Sequence, residues 1–133
     1  MATPASNIRG AHQNEFAFTV SHVPAVNVAA TVTRAAPGVG RRIVITGFDA
    51  IVANGGTAPT ATTAVPSLVS GSTTKWSATF GVQATAGDTV GITKANRWII
   101  CGENEAVTLS FAAASGANTY QSVNLEGVIE ELK

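Results

Sequence analysis

Apolar and polar residues alternate with a period of two along most of this chain, and that period predicts strands. At 26–33, Val26, Val28, Ala30 and Val32 alternate with Asn27, Ala29, Thr31 and Thr33, the signature of a strand with one buried face. The turn residues Ala36-Pro37-Gly38-Val39-Gly40 interrupt the pattern before 41–52, where β-branched residues stand on both parities. Such a strand is covered on both faces over part of its length, and Gly47 in its middle marks a bulge or bend. The segment 54–63 holds turn residues, no long apolar side chain and no charge, so it reads as an exposed loop.

The second half repeats this grammar. A short apolar run at 65–69 contains Pro66, which confines it to an edge or a strand start. After a turn at Gly71-Ser72, the strand 75–80 places Trp76, Ala78 and Phe80 on one face. Ala86-Gly87-Asp88 turns the chain into 88–93, with Val90 and Ile92 inward, and 97–101 forms a compact apolar strand. An acidic turn at 102–105 leads to Val107, Leu109 and Phe111 in alternation. Ser115-Gly116-Ala117-Asn118 reads as the close of that hairpin, and 119–130 as the last strand.

Seven to eight short strands at spacings near ten residues, with no helical period, predict an all-β fold, an antiparallel β-sandwich or jelly roll, with a small barrel as the other architecture of this pattern. The stretch 1–22 is polar until Phe16-Ala17-Phe18-Thr19-Val20, and reads as an extended N-terminal arm whose aromatic end docks on a body, its own or a neighbour's. Residues 23–133 then form a single sandwich domain, in keeping with the length of 133 residues.

Composition narrows the function. Charged residues are only 12% of the chain, about half the typical share of roughly 25%, and a surface so poor in charge suits an oligomer or an assembly component. Eight basic and eight acidic residues cancel, which argues against binding to nucleic acid or to an acidic membrane. One cysteine, Cys101, cannot form an internal disulfide. No apolar run is long enough to span a membrane and the first residues lack a signal-peptide pattern, so the chain is expected to be made in the cytoplasm.

Candidate chemistry is sparse. No nucleophile elbow, phosphate loop, dinucleotide fingerprint, zincin motif or cysteine pair occurs. His12 and His22 fall in the arm and read as solvated polar residues. Cys101, four residues from Arg97, reads as a small buried hydrophobe. Glu103, Glu105, Glu126, Glu130 and Glu131 would serve calcium binding or glycan hydrolysis only if separate strands brought them together; otherwise they are solvated acids. Trp76, in register with Ala78 and Phe80, faces the core. Trp98 is ambiguous, assigned to the core or a subunit interface ahead of ligand stacking. Arg41 and Arg42 either guard a strand edge or meet a partner. No cofactor, metal or catalytic residue is expected.

The segments Arg42-Ile43-Val44-Ile45-Thr46-Gly47-Phe48 and Gly116-Ala117-Asn118-Thr119-Tyr120-Gln121-Ser122-Val123-Asn124-Leu125-Glu126-Gly127 resemble parts of small jelly-roll-like virion proteins of tailed bacteriophages, over about residues 41 to 127. The resemblance implies a capsid decoration or cement protein, a homotrimer seated on the major capsid protein at the virion surface. It supplies no catalytic residue, and the arm matches no motif of the family. On this reading Ile8, Arg9, Phe16 and Phe18, with Arg41 and Arg42, contribute the partner contacts. The alternative is a tail or head-fibre module that binds a host glycan through the loop 54–63 and an exposed tryptophan.

Overall fold

The computed structural model describes residues 16–55, 62–82 and 84–132. Among the described residues eleven strands follow one another: β1 (Ala17–His22), β2 (Thr31–Arg34), β3 (Arg41–Asn54), β4 (Thr62–Ala64), β5 (Pro66–Ser70), β6 (Thr73–Ser77), β7 (Phe80–Val82), β8 (Thr89–Lys94), β9 (Ile99–Glu103), β10 (Val107–Phe111) and β11 (Thr119–Glu131). One sheet has the order β1-β11-β3-β8, with β9 also paired to β3; the facing sheet has the order β2-β10-β5-β6. Every pairing is antiparallel. Successive strands alternate between the sheets, β1 in the first, β2 in the second, β3 in the first, β5 and β6 in the second, and so on to β11. That winding is a jelly roll.

The eight strands of the two linear sheet orders agree in number with the sequence expectation, but they include β1, which the sequence placed in the arm, instead of the strand expected at 97–101, here the short β9. The additional pieces are a two-stranded ribbon of β4 and β7 and the short β9, which lies end to end with β8 along β3. One long strand therefore serves two short ones, because β3 has fourteen residues.

The period of two explains which residues meet. Ile43, Ile45, Phe48, Ala50 and Val52 of β3, Val107, Leu109 and Phe111 of β10, Leu68 of β5 and Val123 and Leu125 of β11 form one buried cluster between the sheets. Each large aliphatic removed from water there contributes roughly 1.5–3 kcal/mol before the entropy of ordering is set against it. A bulge interrupts the parity of β3: Glu126 pairs with Gly47, but Gly127 pairs with Ile45, so Thr46 is the extra residue. Its carbonyl accepts the Arg97 N–H at 2.9 Å, which fixes the crossing from β8 to β9. At Gly127 a side chain would run into the Val44 carbonyl and the Phe18 ring, so close strand packing requires glycine there.

Two local expectations are corrected and a third is resolved. The alternation at 26–33 is only partly a strand, since Val26 and Asn27 form a turn with Asn27 at φ 66° and β2 starts at Thr31. The stretch 112–118 does not close a hairpin: it crosses from β10 in one sheet to β11 in the other. Residues 17–22, the aromatic end of the expected arm, dock on the chain's own body as an edge strand, paired with β11 from Ala17↔Val128 to His22↔Val123.

Candidate functional site

The outer face of the five-stranded sheet carries an apolar end. Val44 stands on the opposite side of β3 from its core neighbours Ile43 and Ile45, paired with Val128 of β11 on one flank and Ile100 of β9 on the other. Ala17 extends the row across β1. Trp98 and Ile100 follow one parity of the β9 segment, and both project into solvent, Trp98 with 68% of its surface exposed. Val44 is nonetheless fully buried. An open groove of about 340 Å³ is lined by Phe16, Val44, Trp98, Val128, Ile129 and Glu130.

Charge rims this groove and is internally paired. Arg42 Nε donates to Glu130 Oε2 at 2.7 Å, and Arg41 reaches Glu131 Oε1 at 3.4 Å. Both pairs lie directly across β3 and β11, where opposite charges support register. The Arg41 guanidinium also sits 5.2 Å from the centre of the Phe16 ring. Further along the same face come Glu126 beside Gly47, then Asn124, Asp49 and Thr93 in one row. Burial, and secondarily the Glu126 charge, push the Asp49 carboxyl above its ordinary value.

Of the residues expected to bind a partner, Phe16, Arg41 and Arg42 gather at this end of the sheet. Phe18 does not join them: it packs against the core with the Arg34 guanidinium 5.0 Å from its ring centre, because residues of even number in β1 share the inward parity of Gly127 and Leu125. Ile8, Arg9 and His12 lie outside the described residues, as do 56–61 of the expected loop. Asn54, at the other end of that loop, is buried at the end of β3.

The remaining candidates have structural partners. His22 is not merely solvated, since its Nδ1 accepts the Thr31 N–H at 3.1 Å. Cys101 is buried, and burial raises its thiol above the ordinary value, against smaller lowering effects of Ser70 and Lys75. Glu103 accepts the Gly40 N–H at 2.9 Å. Glu105 accepts from Ser70 Oγ at 2.8 Å, and Ser70 Oγ in turn accepts the Gly102 N–H. Among the described residues no group of three or more His, Cys, Asp or Glu is placed to hold a metal ion, and no helix is long and apolar enough to cross a membrane.

Trp76 faces inward as expected, edge-to-face with Phe48. Trp98 departs from the core assignment. Three apolar residues in succession, Trp98-Ile99-Ile100, concealed which parity faces the core; the structure gives that parity to Ile99.

No family model and no curated protein matches the chain. Among solved structures it is similar to dimeric latent PorU from Porphyromonas gingivalis, with a TM-score of 0.47 and 12% identity over 85% of this chain and 13% of that one. It is also similar to the CBM36-1 domain of a multidomain xylanase from the hindgut metagenome of Trinervitermes trinervoides, with a TM-score of 0.34 and 10% identity over 88% and 98% of the two chains.

Proposed function

We propose that this chain is a non-catalytic structural protein of a phage virion, a capsid decoration protein that seats the Trp98 end of its five-stranded sheet on the major capsid protein. The observation that carries this reading is the convergence of Phe16, Arg41 and Arg42 with exposed Trp98 and Ile100 at one end of one sheet. A large aromatic anchor in an apolar patch with a charged rim has the composition of a protein-binding hot spot. The rim charges are already paired within the chain, so docking does not strand an unpartnered ion. The sequence resemblance to virion proteins and the low charge content support the same reading.

The mechanism is mass action. A protein that binds the assembled shell and not its dissociated subunits stabilises the shell by linkage, and a homotrimer would add avidity if its three copies engage together.

The test is co-sedimentation with undecorated heads of the phage that encodes the chain. Wild type should saturate the heads, and Trp98→Ala with Ile100→Ser should weaken binding tenfold or more while leaving the melting temperature nearly unchanged. Failure of the wild type to sediment with heads would overturn the reading. Light scattering of the free protein separates a trimer from a monomer.

A second reading, a glycan-binding module, is favoured by the exposed indole on the same face as the hydrogen-bonding row of Ser21, Asn124, Asp49 and Thr93. An array of host glycans distinguishes the two: a saturable glycan lost in Trp98→Ala, with no binding to heads, selects the second.

A further inference from the structure

At the edge opposite β1 and β2, one sheet ends in β8 and the other in β6. Between them opens a slot of about 230 Å³ lined by Phe48, Lys75, Trp76, Lys94, Arg97 and Ile99. Phe48 and Trp76 contribute its aromatic wall, with ring centroids 4.8 Å apart and planes inclined by 61°. Three cations reach it from three segments. Lys75 is the extra residue of a bulge in β6, between the pairs Leu68↔Trp76 and Val69↔Thr74. Lys94 pairs with Phe48 at the end of β8. Arg97 is held by its backbone to Thr46.

The chain has eight basic residues and no net charge, yet three of the eight line this one slot. Among the described residues the ion pairs are those of Arg41 and Arg42, and none of the three takes part in one. Glu105, whose charge acts on Cys101 together with that of Lys75, accepts a hydrogen bond from Ser70 Oγ and forms no ion pair among the described residues. Lys75 and Arg97 are exposed and Lys94 is half-buried, so water screens their mutual repulsion, and an anion placed among them gains attraction from all three. Arg97 offers a planar fork for an oxyanion, and the lysines add charge-assisted hydrogen bonds.

We propose that this slot binds a sugar bearing an oxyanion, with the carboxylate or phosphate among Lys75, Lys94 and Arg97 and the ring against Trp76. The volume is below the roughly 300 Å³ at which drug-sized pockets begin, so it takes one ring rather than a long chain. Alternation along the β9 segment puts Arg97 and Ile99 on the opposite side from Trp98 and Ile100. The slot and the Trp98 groove are therefore separate sites, and this assignment does not depend on the function proposed above.

The test uses full-length protein carrying Trp98→Phe, so that Trp76 alone reports by fluorescence, titrated with glucuronate, glucose 6-phosphate, glucose and inorganic phosphate. Glucuronate or glucose 6-phosphate should change the Trp76 emission saturably, high salt should weaken the response, and glucose should bind at least tenfold more weakly. Inorganic phosphate should compete with the acid sugar at higher concentration. Lys94→Gln with Arg97→Gln should weaken the acid sugar tenfold or more at unchanged melting temperature; if that variant does not fold, Lys75→Gln alone should weaken it severalfold.

Several results would overturn the assignment. They are no saturable acid-sugar binding, glucose binding as well as glucuronate, or unchanged affinity in the variants. A loss of head binding by Lys94→Gln with Arg97→Gln, with no sugar acid bound by wild type, would make the slot a protein contact instead.

Discussion

The two edges of the sandwich use similar residues to opposite ends. At one, β1 and β2 close on each other: His22 Nδ1 takes the Thr31 N–H, and Arg34 lies over the Phe18 ring. The Arg34 Nε is buried there with no hydrogen-bond partner among the described residues. At the other edge Lys75, Lys94 and Arg97 surround Trp76 with no ion pair among the described residues, and a slot remains between the sheets. A cation stacked on its own chain's aromatic ring seals an edge. Unpaired cations hold one open for something anionic.

The largest effect should come from breaking the closed side. Gln121, buried on β11, accepts the Ala30 N–H at 2.8 Å through Oε1 and donates through Nε2 to the Ala113 carbonyl at 2.8 Å and to Ser115 Oγ. One side chain thereby ties β11 to the entry of β2 and to the crossover 112–118. Gln121→Leu keeps the volume but leaves these buried groups unpaired, at a cost of about 1–3 kcal/mol for each group not rescued by water. Urea denaturation should show a loss of about 3 kcal/mol. A loss below about 1 kcal/mol would mean that the edge is sealed by packing alone.

Next come the two tryptophans. Trp76→Ala removes an aromatic wall packed on Phe48 and should cost about 2–3 kcal/mol, somewhat under the range for a fully buried ring. Trp98→Ala, at a ring exposed over most of its surface, should cost under ~1 kcal/mol. Equal losses would place Trp98 in the fold's stability rather than on a binding surface.

These residues also show what the sequence could and could not reveal. Strict alternation at Val107, Leu109 and Phe111 made one strand and its buried face legible, and the β-branched run of β3 correctly implied cover on both faces, since both Val44 and Ile45 are buried. Gln121 gave no signal, because a polar residue on the inward parity is readable only when its partners at Ala30, Ala113 and Ser115 are known. The slot was equally silent: Lys75, Lys94 and Arg97 are scattered in sequence and meet only through the sheet order. The crossover 112–118 was misread because a Ser-Gly-Ala-Asn turn has the same composition whether the chain returns to its own sheet or passes to the facing one.

The paired rim should matter less. Arg42 and Glu130 are both partly exposed, where such pairs contribute under about 1 kcal/mol. Arg42→Gln should therefore lower stability by less than that, and most of the difference should disappear at high salt. A larger, salt-insensitive loss would show that the pair also fixes the register of β3 on β11.

The smallest effect has a definite sign. On the outer face between the two edges, burial and the nearby Glu126 raise the Asp49 carboxyl above its ordinary 3.8. The folded chain therefore holds that proton more tightly than the unfolded chain does, and the group favours folding most below the unfolded value. As pH rises from there through the folded value, stability falls, then levels once both states are ionised. Asp49→Asn removes this slope. Its gain should be close to zero at pH 3, grow as the pH rises through the folded value, and level off as a small rise in Tm by pH 7, because the group is largely solvated and water screens its interactions. Melting curves of both proteins across that range provide the check. A gain that is constant with pH would mean that Asn improves local packing, and that the effect of the substitution at Asp49 is not electrostatic.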